Sequence, residues 1–231
     1  MSPITQEHSP LRQTLSNRLW GINWQAELPI SIGSITVRYI DSKHGLMMIK
    51  QHFKEIYHTD LGDSLFAERL DEATLLFRER YYDEVGDFFV FEDQSEFVGM
   101  MICTVQDWNS YYVRSCSMRP GYQNQNIYFT FHQKLIELLQ RYGVKRLEGD
   151  VGATNLKHLH ITNKLGYVVQ HVALSERFGA TVHLCRFLDD KIYEDFAKRF
   201  SATFHSDSLF KLTTEQRHEV SATPNQERSS Q

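Results

Sequence analysis

The stretch from Tyr111 to Tyr167 constrains the fold more than any other part of the chain. Tyr111-Tyr-Val-Arg-Ser-Cys-Ser-Met118 is rich in aromatic and small side chains and reads as a strand. The polar turn Arg119-Pro-Gly-Tyr-Gln-Asn-Gln-Asn126 follows, then an amphipathic helix from Ile127 to Tyr142 that stops at Gly143. Val144 to Val151 is a second strand, and Asn155 to Leu165 a short helix. Strand, helix and strand in that order make a βαβ crossover. A helix that starts straight after a strand turn points free N–H groups and a positive dipole end into that turn. Such a turn is an anion site, suited to a pyrophosphate.

The rest of the pattern adds a sheet to that unit. Ser34 to Ile40 alternates and is β-branched, so it predicts a first strand. Asp41 and Ser42 are caps for a helix running to His58, with Leu46, Met47, Ile49, Phe53, Ile56 and Tyr57 at helical spacing. A second helix is predicted from Ser64 to Tyr81, with Leu65, Phe66, Leu70, Ala73, Leu76 and Phe77 on one face. Asp87–Glu92 and Glu96–Val105 then form a hairpin about the turn Asp93-Gln-Ser95. Tyr167–Leu174 and Ala180–Phe187 are two final strands, and Asp189 to Phe200 a last helix. The expected fold class is α+β, a mixed and mostly antiparallel sheet with helices on both faces. The expected division is an N-terminal extension over 1–33, a domain over 34–204 and a polar, disordered tail over 205–231. Trp20 and Trp24 in the extension either pack on the domain or form an interaction patch.

Charge and cysteine usage exclude several classes. The net charge of −4 gives no general attraction to nucleic acid. Cys103, Cys116 and Cys185 lie in apolar runs without metal-ligand spacing, which predicts buried free thiols and no metal. No run of about 18 apolar residues marks a membrane span, and no basic-then-apolar leader opens the chain. The expected location is the cytoplasm.

Three features taken together resemble the GNAT acetyltransferase superfamily over roughly residues 34–187. One is the hairpin strand carrying Phe97-Val98-Gly99. Another is strand, Pro120, aromatic Tyr122, polar turn and helix. The third is Val151-Gly-Ala-Thr-Asn155 followed by Asn163-Lys-Leu-Gly-Tyr167. The resemblance implies an acetyl-CoA or other acyl-CoA co-substrate. It places strand backbone near Cys116, Ser117 and Met118 beside the thioester and pantetheine arm. It places Gln123, Asn124, Gln125, Asn126, Ile127 and Tyr128 at the pyrophosphate, and Asn155 on the pantetheine arm. The family turn reads Gln/Arg-x-x-Gly-x-Gly/Ala, so Asn126 and Tyr128 stand in glycine slots. Asn tolerates positive φ; Tyr128 puts a bulky ring where the ligand passes, either to stack or to swing aside. Many members carry a Tyr seven residues after the Asn as the acid for the leaving thiolate. Here that position is Thr162, a poor proton donor. Tyr128, Tyr111, Tyr112 or water are the substitutes, and the sequence does not choose among them.

Acyl transfer to an amine also needs a proton acceptor. Glu148 and Asp150 alternate on the strand beside the expected site, and Glu148 is the candidate base; the plain alternative is a solvated or paired carboxylate. Asn155 is either a ligand contact or a helix N-cap. His158 and His160 point to different helix faces and make no metal pair. Cys116 is either an acyl acceptor or a buried strand thiol. The expected activity is N-acyl transfer from acyl-CoA, or from an acyl carrier protein, to a small-molecule or protein amine. The competing expectation is a non-catalytic module of the same fold that senses a ligand or binds a protein. The sequence leaves the oligomeric state open; the final strands offer an edge that could pair across a homodimer.

Overall fold

The computed structural model describes residues 13–57, 72–175 and 179–204. Its elements are α1 (Leu15–Trp20), α2 (Trp24–Glu27), β1 (Ile30–Ile32), β2 (Ile35–Ile40), α3 (Ser42–Tyr57), α4 (Glu72–Val85), β3 (Gly86–Asp93) and β4 (Glu96–Val105). They continue with β5 (Ser110–Met118), α5 (Ile127–Arg141), β6 (Arg146–Gly152), α6 (Leu156–Lys164), β7 (Val168–Ser175), β8 (Gly179–Phe187) and α7 (Asp190–Phe204). The strands form one sheet in the order β1-β2-β3-β4-β5-β6-β8-β7. Every pairing is antiparallel except β5 with β6, the two strands that α5 connects. The mixed, mostly antiparallel sheet is therefore as expected.

Alternation along β3 builds a core on each face of the sheet. Phe89 and Phe91 point into the larger cluster, Phe88 and Val90 into the smaller, and all four are fully buried. The larger cluster takes Ile127, Phe131, Leu135 and Leu139 from α5, residues spaced four apart on one helical stripe. Burying each of these contributes roughly 1.5–3 kcal/mol. The smaller cluster takes Ile56 from α3 and Tyr82 from α4. Gly45 allows the close seating of α3, since a Cβ there would lie 2.3 Å from the Phe88 ring. Gly99 does the same between strands: its Cβ would meet the Ser117 carbonyl oxygen at 2.6 Å.

Residues 13–33 carry α1, α2 and β1. β1 adds an edge strand, with Ile30 opposite Val37. Trp24 is buried, edge-on to Phe89 at 4.8 Å and 6.0 Å from the Tyr111 ring, and its Nε1 donates to Ser16 Oγ at 3.1 Å. Trp20 packs edge-on to Tyr111 at 6.1 Å. Packing on the domain is thus the reading that fits both tryptophans. Leu76 and Phe77, read on one face of this helix, are 48% and 70% exposed in α4. The helix buries Tyr82 instead, against Phe88 at 5.8 Å. The start expected at Ser64, with Leu65, Phe66 and Leu70, lies outside the described residues, as does the tail from 205.

The chain divides into two units, one ending at Asp189 and the other beginning at Asp190. The described part of the second is α7, where Lys198 and Glu194 pair at i, i+4. Among the described residues no helix is long and apolar enough to cross a membrane.

Candidate active site

The parallel pairing of β5 with β6 lasts for four residues, from Ser110 opposite Arg146 to Val113 opposite Gly149. Beyond that point the two strands no longer pair with each other. Residues 115–118 stay paired with β4, and 150–152 stay paired with β8. A bulge sets the departure: Cys103 faces Val113 and Ile102 faces Ser115, leaving Arg114 as the extra residue on β5. The strands therefore open into a V whose inner edges carry backbone groups free of a β5–β6 ladder. Such edges take up an extended ligand by hydrogen bonding.

The turn at the mouth of the V is held by its own amides. Gln123 Nε2 donates to the Met118 carbonyl at 3.0 Å, and Gln125 Nε2 to the Gly121 carbonyl at 2.7 Å. Asn124 and Asn126 have φ of +65° and +60°, the conformation that a glycine or asparagine adopts most readily. Asn126 is the N-cap of α5 and makes no side-chain cap bond, so the first-turn N–H groups from Ile127 onward remain for another acceptor. Lys157, on the first turn of α6, hydrogen-bonds Asn124 and adds a cation beside the turn. This arrangement suits a diphosphate.

Tyr128, on the first turn of α5, reaches toward α6. Its hydroxyl is 3.3 Å from His158 Nε2, so α5 and α6 touch side chain to side chain. Its ring also meets the His132 ring edge-on at 5.1 Å. Burial pushes the Tyr128 hydroxyl well above the ordinary tyrosine range and pushes His158 below the ordinary histidine value, so both are neutral. Deeper in, His132 Nε2 is 2.7 Å from the Tyr167 hydroxyl, and burial brings His132 down to about 3. Among the described residues His132 Nδ1 has no hydrogen-bond partner, and it is buried.

The other sequence candidates separate by what their polar atoms already do. Thr162 is buried, and its hydroxyl donates to the carbonyls of His158 and Leu159 in its own helix at 3.1 and 3.0 Å. The Thr162 hydroxyl is thus taken up within its own helix. Tyr111 is buried and donates to Asp87 at 2.7 Å, and Tyr112 donates to Asp150 at 2.6 Å. Of the three tyrosines, Tyr128 is the one whose hydroxyl lies between α5 and α6. Asn155 accepts from the His158 backbone N–H at 3.1 Å and caps α6. Cys116 is partly buried on β5, and burial raises its thiol far above neutrality, which removes the thiolate needed for acyl capture. Ser117 faces Met100 and Met118 faces Gly99 across the β4 ladder, so both lie on the strand edge of the V.

Glu148 is buried on β6, on the sheet face opposite Leu147. It accepts from Ser110 Oγ at 3.2 Å and lies 3.4 Å from Arg146 Nε. His183 of β8 stands between Glu148 and Asp150, with Nδ1 3.0 Å from Asp150 Oδ1 and Nε2 3.7 Å from Glu148 Oε2. Sequence reasoning found the carboxylates and missed His183. Only the register of β6 against β8, which sets Asp150 opposite His183, brings the imidazole to them.

The sequence profile of the acetyltransferase (GNAT) family matches residues 48–167. No curated protein matches the chain. A chimaeric spermidine N-acetyltransferase from Vibrio cholerae superposes with a TM-score of 0.53 at 18% identity, over 68% of this chain and 96% of its own. The Vibrio cholerae spermidine N-acetyltransferase in complex with CoA and spermine gives 0.51 at 16% identity, over 68% and 97%. The ribosomal-protein-S5-alanine acetyltransferase from Vibrio fischeri gives 0.51 at 17% identity, over 71% and 98%. At such identities the likeness is one of fold. The profile spans more than half of the 231 residues and includes the strand that opens, the turn and both flanking helices. The chain therefore belongs to the GNAT acetyltransferase family.

Proposed function

We propose that this acetyltransferase takes its acyl group from an acyl-CoA lying in the V between β5 and β6 and passes it to an amine. The separation of the two strands after Val113 and Gly149 is the observation that carries the reading. The pantetheine arm would pair with strand edge along Cys116, Ser117 and Met118. The diphosphate would sit on the turn from Gln123 to Tyr128, at the N-terminus of α5 with Lys157 beside it. Asn155 would meet the arm from α6 while its oxygen caps that helix. The acceptor would approach on the Glu148 face, where a carboxylate favours a cationic amine. The thiolate would take its proton from Tyr128 or from solvent, since the Thr162 hydroxyl is held by its own helix.

The donor and acceptor are chosen by what supports them. An acyl carrier protein would present pantetheine without the nucleotide, leaving the turn and Lys157 without a role, so CoA fits better. The similar folds named above act on spermidine or a ribosomal-protein alanine, and both a small amine and a protein terminus are amines in the sense meant here. The test is thiol release from acetyl-CoA against a panel of amines. Saturable release that depends on both substrates supports acyl transfer; no release with any amine overturns it.

One observation favours a second reading. The Tyr128 hydroxyl meets His158 Nε2 at 3.3 Å, joining the first turns of α5 and α6 where a ligand would enter. A module that kept the fold and closed the groove, for ligand sensing or protein binding, would look like this. Replacing Tyr128 by Gly separates the two, because opening the groove restores binding only where the rest of the site is intact.

A further inference from the structure

We propose that Glu148 and His183 together hold the primary ammonium of the acceptor, and that His183 Nε2 takes its proton. This rests on the acyl-transfer reading and names the acceptor class for it. Glu148 and Asp150 are two apart on β6 and share one face, and His183 is the direct cross-strand partner of Asp150. His183 Nδ1 lies 3.0 Å from Asp150 Oδ1, and in the tautomer that donates its proton there Nε2 carries the lone pair. That lone pair is 3.7 Å from Glu148 Oε2. Two acceptors do not bond each other, and this separation leaves room for one N–H donor group within about 2.9 Å of both. An ammonium is the group that satisfies the pair.

The surrounding groups fix this arrangement. Asp150 is held by the Tyr112 hydroxyl at 2.6 Å. Glu148 is held by Ser110 Oγ at 3.2 Å, with Arg146 Nε at 3.4 Å. The His171 ring of β7 stacks on His183 at 4.6 Å and 17°. Cys185 of β8 faces Glu148 across the strand pair as a neutral thiol, pushed by burial up to about 12. The charged groups around His183 are thus Glu148, Asp150 and Arg146, with His171 and Tyr112 as the other titratable neighbours. Two carboxylates against one guanidinium, itself paired with Asp107 at 3.0 Å, favour a cation and reject an acceptor with its own carboxylate next to the amine. The acceptor class is a primary aliphatic ammonium without an adjacent carboxylate. The bracket also lies at the apex of the V: Glu148 is the last residue before Gly149, where the β5 pairing stops, and Asp150 the first after it.

The step balances. The ammonium gives one proton to His183 Nε2. The freed lone pair forms the C–N bond at the thioester carbonyl carbon, and the C–S bond breaks with its electrons leaving on sulfur. The nitrogen then loses its second proton to solvent, the thiolate takes one from Tyr128 or from solvent, and His183 returns its own to solvent. His183 is then a catalytic residue, while Asp150 positions it.

The test compares wild type, His183→Ala, His183→Gln and Glu148→Gln, each checked for cooperative melting. Acetyl-CoA turnover is followed with 1,4-diaminobutane, n-butylamine and glycine against pH, and amine binding by calorimetry. Both alkylamines react and glycine does not. Wild-type kcat/KM carries a one-proton step that both His183 variants lose, with kcat lower by about 100-fold or more. Added imidazole partly restores His183→Ala. Glu148→Gln weakens 1,4-diaminobutane binding about tenfold. His183 variants that keep the wild-type kcat and pH profile overturn the proton role. Equal amine binding in wild type and Glu148→Gln overturns the ammonium site. A wild type that turns over no amine overturns acyl transfer and with it the proton role, and calorimetry alone then decides the ammonium site.

Discussion

At the scale of single residues, Tyr128 decides whether the groove opens. Its ring lies between His132 and His158, on the path that the pantetheine arm would take. Tyr128→Gly removes that ring and restores the glycine of the family turn. We expect acetyl-CoA to bind about tenfold more tightly, a gain of about 1.4 kcal/mol, read by calorimetry. Weaker binding would mean that the ring stacks on the ligand instead. A second residue, Asp87, ties pH to stability. Burial raises its carboxyl from 3.8 to about 6, against the opposing hydrogen bond from Tyr111. Between those two values the folded chain keeps a proton that the unfolded chain has lost, so stability falls as pH rises through the window. The loss is complete above about 6 and amounts to roughly 3 kcal/mol. Asp87→Asn should therefore flatten the pH dependence of urea unfolding between pH 4 and 7; an unchanged slope would assign it to other groups. How legible these residues were depends on what fixes them. Positive φ at Asn126 follows from residue type and was readable. The direction of the Tyr128 ring and the meeting of His183 with Glu148 depend on neighbouring elements, and no local pattern carries them.

At the scale of elements, local periodicity was sufficient where an element buries one regular stripe. The α5 stripe and the alternation of β3 read directly, and so did the crossover from β5 to β6. β1 was missed because three residues after Pro29 give too little alternation to register. The exposure of Leu76 and Phe77 on the second helix was not readable, because periodicity cannot tell which turns of a helix reach the sheet. Residues 15–32 matter more to the core than their mixed composition suggests. Trp24 fills the space over Phe89 and Tyr111, while Trp20 remains partly exposed. Trp24→Ala should cost about 3–5 kcal/mol in urea unfolding, and Trp20→Ala clearly less. Equal losses at the two positions would show that the segment packs differently.

At the scale of the whole molecule, the sheet is continuous on the β4 side and on the β8 side, and parts only between β5 and β6. Everything assigned to the acyl donor lies along that parting. Everything assigned to the acceptor lies at its apex. The order of elements in the sequence implied such a site, and the opening itself became visible only in the strand register. The central claim is that the V receives a CoA thioester. Its most direct test is the melting temperature of the full chain with acetyl-CoA, CoA and S-acetylpantetheine. At about 100 times Kd a ligand adds about 2.7 kcal/mol, which for a chain of this size is a rise of roughly 5–10 °C. The account predicts that rise with both nucleotide-bearing compounds and a smaller one with S-acetylpantetheine, which lacks the diphosphate. No rise with any of the three, at any concentration reached, would contradict it.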